Sequence, residues 1–313
     1  MLAIEAHELT KAFSAGRGRT RRTVEAVRDI TFQVERGERL AYIGPNGAGK
    51  STSIKMLTGI LHPTSGRATV LGLVPWTHRR DLARRIGTLF GQRSQLWFEL
   101  TTRQTLRLLA RIYRLDEADA RRRTDELAGL LDAADLLDVP VRSLSLGQRM
   151  RCELAATVLH GPEVLFLDEP TIGLDLLAKQ RFREMVVRLN EERGTTVFLT
   201  SHDVADIEHV ADRVVVINGG TIIYDDQVQR MRRTLLQTKL IEVRFDEAPG
   251  DLVMDGVQVT AESDTVYGLV VDTRRMSVRA VLDGLLDGYA IADISVVDPP
   301  LEQVISEIYG GRT

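Results

Sequence analysis

The chain has 313 residues, 43% of them hydrophobic and 27% charged, enough apolar material for one large core and a small domain beside it. A formal net charge of −3 and a pI near 6.1 supply no general electrostatic footprint for DNA or RNA, so nucleic acid is not expected as the main partner. The single cysteine, Cys152, excludes an internal disulfide and a thiol metal site; among apolar neighbours it reads as a small helix-packing residue.

The N-terminal "MLAIEAHELTKAF" lacks the basic start, apolar stretch and cleavage site of a secretory signal, and no apolar run approaches the roughly 18 residues of a membrane span, so a cytosolic chain is expected. "RGRTRR", residues 17–22, interrupts a hairpin-like region and reads as a solvated long loop, with contact to nucleotide or anionic lipid as the alternative. From residue 1 to about 235, short β-rich runs alternate with helical patterns. "ERLAYIG", "EVLFLDE", "TTVFLTS" and "DRVVVIN" are strand-like and each lies near a loop leading into helix, which argues for an α/β layer with a parallel sheet.

"GPNGAGKST" fits G-x-x-x-x-G-K-[ST] and lies between a predicted strand and a predicted helix, the context that a phosphate-binding loop requires. Its residues Gly44, Pro45, Asn46, Gly47, Ala48, Gly49, Lys50, Ser51 and Thr52 are candidate ligand contacts. Backbone N–H groups can wrap phosphates where Gly44, Gly47 and Gly49 permit close approach, and the helix N-terminus adds positive potential. Lys50 is expected to neutralise the β- and γ-phosphates, and Ser51 to hold Mg²⁺.

Residues 78–137 are Arg-, Leu- and Ala-rich and helical in period, and predict a helical insert over about 93–150. "EVLFLDEP", residues 163–170, is an apolar strand that can present charge only at its end. That places Asp168 beside Mg²⁺ and Glu169 against the attacking water, with Pro170 ending the strand. Past residue 225 a basic helical stretch, "QVQRMRRTLLQTKL", leads to a second unit with strands "IEVRF", "TVYGLVV" and "ADISVV" and helices "SVRAVLDGLLDG" and "PPLEQVISEIY". The expected domains are therefore 1–235 and a small α+β accessory domain, 236–313.

With the phosphate loop, "RSLSLGQRMR" at 142–151 and the acid pair in this order, residues 1 to about 225 resemble the ATPase subunit of an ABC transporter. The resemblance implies an α/β P-loop NTPase of ABC ATPase type, with a helical subdomain, that binds ATP with Mg²⁺ and hydrolyses it. It further implies that Gln92, in "FGQRSQLW", is the Q-loop glutamine, touching Mg²⁺ and facing a membrane subunit. Asp175, in "TIGLD", would be the D-loop aspartate at a dimer interface, and His202, in "LTSHD", the switch histidine that reaches the γ-phosphate. Phe13, in "ELTKAF", would stack on adenine.

Residues 142–151 resemble the Leu-Ser-Gly-Gly-Gln signature, with Leu146 in place of the first glycine. By resemblance, Ser145, Gly147 and Gln148 cover the nucleotide bound to the opposite subunit of a homodimer. If the family's glycine there needs a left-handed backbone, leucine costs on the order of 1–2 kcal/mol; otherwise the cost is small. Because both acids, the loop glycines and His202 are intact, Leu146 is expected to be a subfamily variant in a working site.

With no membrane span in the chain, the resemblance implies separate permease subunits of ABC-2 type, to which the chain binds on the inner face of the cell membrane. Residues 93–103 are expected to help form the receiving surface; the aromatic pair Trp97 and Phe98 either contacts the permease there or packs in the core of the helical insert. "DPPLEQVISEIYG" resembles the C-terminal helix of ABC-2 exporters of the daunorubicin-resistance type, and "FGQRSQLW" and "LSLGQRMR" resemble the branch that includes viologen exporters. The alternatives are an importer ATPase, which usually carries a β-barrel-like C-terminal domain, and a soluble ABC ATPase of translation or DNA repair, which usually carries two cores or long coiled coils.

Overall fold

The computed structural model describes residues 1–15, 22–90, 94–235, 238–250, 252–254 and 256–297. Most of "RGRTRR", the glutamine at 92 and the expected helix in "DPPLEQVISEIYG" lie outside the described residues. The chain divides into two compact units, Met1–Asp226 and Gln227–Thr313.

In the first unit β1 (Leu2–Ala15) and β2 (Arg22–Glu35) pair antiparallel, β3 (Arg39–Ile43) leads towards α1 (Lys50–Leu57), and β4 (Ser65–Val70) pairs antiparallel with β1. α2 (Arg79–Ala83) and β5 (Ile86–Phe90) precede a helical segment made of α3 (Thr102–Ile112), α4 (Glu117–Leu130) and α5 (Leu146–Val158). β6 (Val164–Asp168), α6 (Leu176–Arg193), β7 (Thr196–Thr200), α7 (Val204–Val210), β8 (Arg213–Asn218) and β9 (Thr221–Gln227) follow.

The main sheet runs in the order β5-β6-β7-β3-β8-β9, and β5/β6, β6/β7, β7/β3 and β3/β8 are parallel. Parallel strands covered on both faces must be apolar throughout, and the sheet shows why. Val164 and Phe166 of β6 and Phe198 of β7 join the core that includes Ile54, Met56 and Leu57 of α1. The alternate residues Leu165, Leu167, Val197 and Leu199 join the core formed with α3, α4, α5 and α6. Because β6, β7 and β3 are adjacent and parallel, their C-terminal ends lie side by side, the edge of an α/β sheet where ligands bind.

One element differs from the sequence expectation, and one alternative that the sequence left open is closed. "IGTLF", inside the tract read as helical, is the strand β5, registered on β6 from Ile86 opposite Val164 to Phe90 opposite Asp168. Five residues with three apolar side chains are too few to separate a buried strand from a helix by period, and pairing with β6 decides. The leucine at 146 is not among the residues with positive φ; it is the first residue of α5 and carries no left-handed strain.

The second unit contains α8 (Val228–Leu235), β10 (Thr238–Phe245), β11 (Val257–Ala261), β12 (Val266–Asp272), α9 (Val278–Gly288) and β13 (Ile291–Val297). Its antiparallel sheet has the order β11-β12-β10-β13, and Val281 and Leu285 of α9 pack on Ile241, Val243, Leu269 and Val271. The division falls before α8, N-terminal to the expected boundary at 235/236, because α8 meets β10 of its own unit. β11, an edge strand with alternate residues exposed, has too weak an apolar pattern to stand out in the sequence. Among the described residues no helix is long and apolar enough to cross a membrane.

Candidate functional site

The loop after β3 turns into α1 through Gly49, which caps the helix in a left-handed conformation at φ 111°. A Cβ there would lie 2.4 Å from the Ala26 carbonyl of β2, so both backbone angle and space require glycine. The same close approach at Gly44, where a Cβ would meet the Ile217 carbonyl at 2.2 Å, seats the loop against β8. Residues 44–52 thus form a rigid cradle at a helix N-terminus, a site for an anion. The Lys50 ammonium, only 7% exposed, donates to the carbonyls of Gly44 (2.6 Å) and Pro45 (3.3 Å).

The end of β6 brings the acid pair to this cradle. Asp168 Oδ1 accepts hydrogen bonds from the Ser51 hydroxyl (3.3 Å) and the Thr200 hydroxyl (2.7 Å), although Ser51 and Asp168 are 117 residues apart. Glu169 takes a left-handed backbone at φ 54°, unusual for a side chain with a Cβ. Its N–H is held by the Thr200 carbonyl and hydroxyl. That turn aims the carboxylate inward, 2.9 Å from His202 Nδ1 and 3.8 Å from Lys50 Nζ. Burial pushes the Glu169 carboxyl above the ordinary carboxylate range, while His202 and Lys50 pull it back and Asp168 and Asp206 add to the rise. His202 itself is half exposed.

Behind the acid pair lies a network that sequence reading missed. The Asp206 carboxylate accepts from the Thr171 hydroxyl, the Ser201 hydroxyl and Arg183 Nε, each at 2.6 Å. Arg183 also meets Asp203 at 3.1 Å, and Lys179 donates to Asp203 at 2.6 Å. Thr171 follows Glu169 by two residues and Ser201 precedes His202, so one buried carboxylate ties both loops together. The apolar-then-acidic pattern of "SHDVADIE" is the only sequence signal for it.

A second cluster forms at the N-terminus of α5. Ser145 is the N-cap: its Oγ accepts from the Gln148 N–H at 3.2 Å, and the Gln148 side chain accepts from the Ser145 N–H at 2.9 Å. Accepting leaves the serine proton free to donate to an anion. Asp175 caps α6 by accepting from the Ala178 N–H at 2.8 Å. Ser145, Gly147, Gln148 and Asp175 line one cavity of about 240 Å³ together with Arg151 and Arg181, two cations that sequence reading passed over. Leu146 lies against the loop before α6, where a Cβ on Gly173 would touch it at 3.2 Å.

The phenylalanine at 13 is 41% exposed beneath the Lys11 ammonium, 5.2 Å from its ring centre. It pairs with Val24, two residues along β2 from the Ala26 carbonyl that abuts the phosphate loop. Trp97 and Phe98 are each nearly half exposed, which removes them from the core of the helical segment.

A family model described as "ABC transporter" matches residues 27–172. The chain is 33% identical to the daunorubicin resistance ATP-binding protein DrrA3 of Streptomyces coeruleorubidus, covering 91% of this chain and 92% of that protein. It is 38% identical to the cobalt import ATP-binding protein CbiO of Rhodobacter capsulatus, over 71% of this chain and 77% of that one. Among solved structures, cbiO1 of Clostridium perfringens, part of a cbiONQ transporter complex, is 28% identical with a TM-score of 0.66, covering 75% of this chain and 95% of that one.

Proposed function

The chain belongs to the ABC transporter ATP-binding family and is an ATP-binding and ATP-hydrolysing subunit; from that premise we propose that it powers an ABC-2-type exporter through separate membrane permease subunits. The observation that carries the reading is the split of the site residues into two clusters on one chain. The phosphate loop, acid pair and His202 meet at the adjacent ends of β3, β6 and β7, while Ser145, Gly147, Gln148 and Asp175 gather at a second cavity. Two copies facing each other would complete two sites, each with the cradle of one copy and the cap of the other.

In that arrangement residues 44–52 bind the phosphates through N–H groups, and Lys50 turns from the loop carbonyls to the β- and γ-phosphates. Glu169 orients the attacking water, and His202 holds Glu169 and the γ-phosphate side of the site. Ser145 donates its free hydroxyl proton to the γ-phosphate of the partner's nucleotide, where charge develops on transfer. Phe13 offers an apolar face to adenine. Ser51 Oγ and Asp168 Oδ1 are hard oxygen donors suited to Mg²⁺, with Gln92 as the expected third. Among the described residues no three His, Cys, Asp or Glu side chains are arranged to hold a metal ion by themselves, so such an ion would complete its shell with phosphate oxygens and water. When bound, Mg²⁺ neutralises phosphate charge.

Export is favoured over import by coverage. A 91% match of 313 residues exceeds the 226 of the first unit and so runs into the second, whereas the 71% match to the cobalt importer does not exceed it. The second unit is α+β with no closed barrel among its described strands. Residues 236–313 would hold two subunits together between cycles, and Trp97 and Phe98 would meet the permease on the inner membrane face.

The experiment is ATP turnover by the purified chain and by Glu169→Gln, with size-exclusion chromatography with and without ATP. Turnover in the parent and an ATP-dependent dimer in the variant are expected. A variant that binds ATP and stays monomeric would overturn the homodimer.

A further inference from the structure

Glu153, in the third turn of α5, is 3% exposed, and the nucleotide chemistry does not use it. A buried carboxylate is tolerated only when donors satisfy it. Here burial pushes its carboxyl up, and Ser94 and the Gln95 and Leu96 backbone, with the nearby Arg149, pull it back. One oxygen accepts from the Ser94 hydroxyl and the other from the Gln95 N–H at 2.9 Å. The Gln95 amide donates in turn to the Thr157 hydroxyl of α5 at 3.0 Å and to the Thr88 carbonyl of β5 at 2.7 Å.

More of the same run is fixed to the signature region. The Arg149 guanidinium of α5 lies over the Phe98 ring at 5.5 Å, the Arg142 N–H donates to the Phe98 carbonyl at 3.2 Å, and Arg142 pairs with Glu99 at 2.9 Å. Residues 94–99, which carry the exposed Trp97 and Phe98, are thus bound to the helix that Ser145 caps. The two motifs "FGQRSQLW" and "LSLGQRMR" meet in space through a residue that belongs to neither.

We propose that Glu153 is a positioning residue that fastens residues 94–99 to α5, so that the Trp97–Phe98 surface and the Ser145 cap move as one body. The inference rests on the reading of Ser145 as the contact to the partner's nucleotide. Through the tether, a push on the aromatic surface reaches Ser145 without a separate relay, and the cap is held at the angle that closure of the dimer requires. Losing the tether leaves the phosphate cradle intact and misplaces only the cap.

The test compares Glu153→Ala, Ser94→Ala, the double variant and Ser145→Ala in the full chain. The readouts are affinity for a fluorescent ATP analogue, KM and kcat for ATP, and hydrogen exchange at the Gln95 amide. Glu153→Ala is expected to leave analogue affinity unchanged, to lower kcat about tenfold as a misplaced group does, and to speed exchange at Gln95. Ser94→Ala, a change at an exposed residue that leaves the core intact, should move the same quantities in the same direction, and the double variant should be no worse than Glu153→Ala alone. Normal kcat in Glu153→Ala beside a reduced kcat in Ser145→Ala would overturn the tether. Additive losses in the double variant would overturn it as well. Unaffected kcat in Ser145→Ala would overturn the underlying reading and the inference with it.

Discussion

Replacing Asp206 by alanine removes a carboxylate that is 1% exposed and accepts three hydrogen bonds of 2.6 Å. The largest consequence falls on Arg183, whose side chain is 7% exposed and loses the closer of its two acidic partners. Breaking a buried pair from one side costs about 3–5 kcal/mol, because the remaining charge stays desolvated. Asp203, still 3.1 Å from the guanidinium, offsets part of this, while the Thr171 and Ser201 hydroxyls lose their acceptor. We expect a net loss near the lower end, about 3 kcal/mol. Urea unfolding followed by tryptophan fluorescence measures it cleanly, because both tryptophans, Trp76 and Trp97, belong to the first unit. A double replacement, Asp206→Leu with Arg183→Met, should be less destabilised than Asp206→Ala because it leaves no unpaired charge. A loss below about 1 kcal/mol, the range of exposed ion pairs, would refute the claim that this network holds the two loops.

Leu146→Gly should leave ATP turnover of the same order and cost at most about 1 kcal/mol of stability, since the leucine already sits in helical backbone; a large gain in turnover would show that leucine restrains the signature. Gly49→Ala should abolish nucleotide binding or folding, because its Cβ meets the Ala26 carbonyl at a φ that alanine resists; retained affinity by calorimetry would contradict the cradle geometry. The buried His160, stacked on Tyr113 at 4.0 Å, has its pKa lowered by burial to about 4. The unfolded chain binds this proton first, so stability falls as pH drops from about 6.5 towards 4, by about 3 kcal/mol at most. His160→Gln should flatten that part of the pH–stability curve, and an identical slope in parent and variant would argue against a buried neutral histidine.

The chemistry that lies within a few consecutive residues is legible in the amino-acid sequence itself. The phosphate loop, the acid pair, the Ser145 cap and the His202 loop each occupy one strand end or helix start, and local backbone preference makes such segments readable one at a time. Their order along the chain is enough to identify the ATPase core. Tertiary structure alone decides the rest. Whether "IGTLF" is strand or helix depends on β6, and whether Leu146 is strained depends on where α5 begins. Thr200 on Asp168, Asp206 between two loops and Glu153 under residues 94 and 95 join positions from 5 to 59 residues apart. A buried polar group must find its partner in space, and separation along the chain carries almost no information about which groups will be sealed from water together.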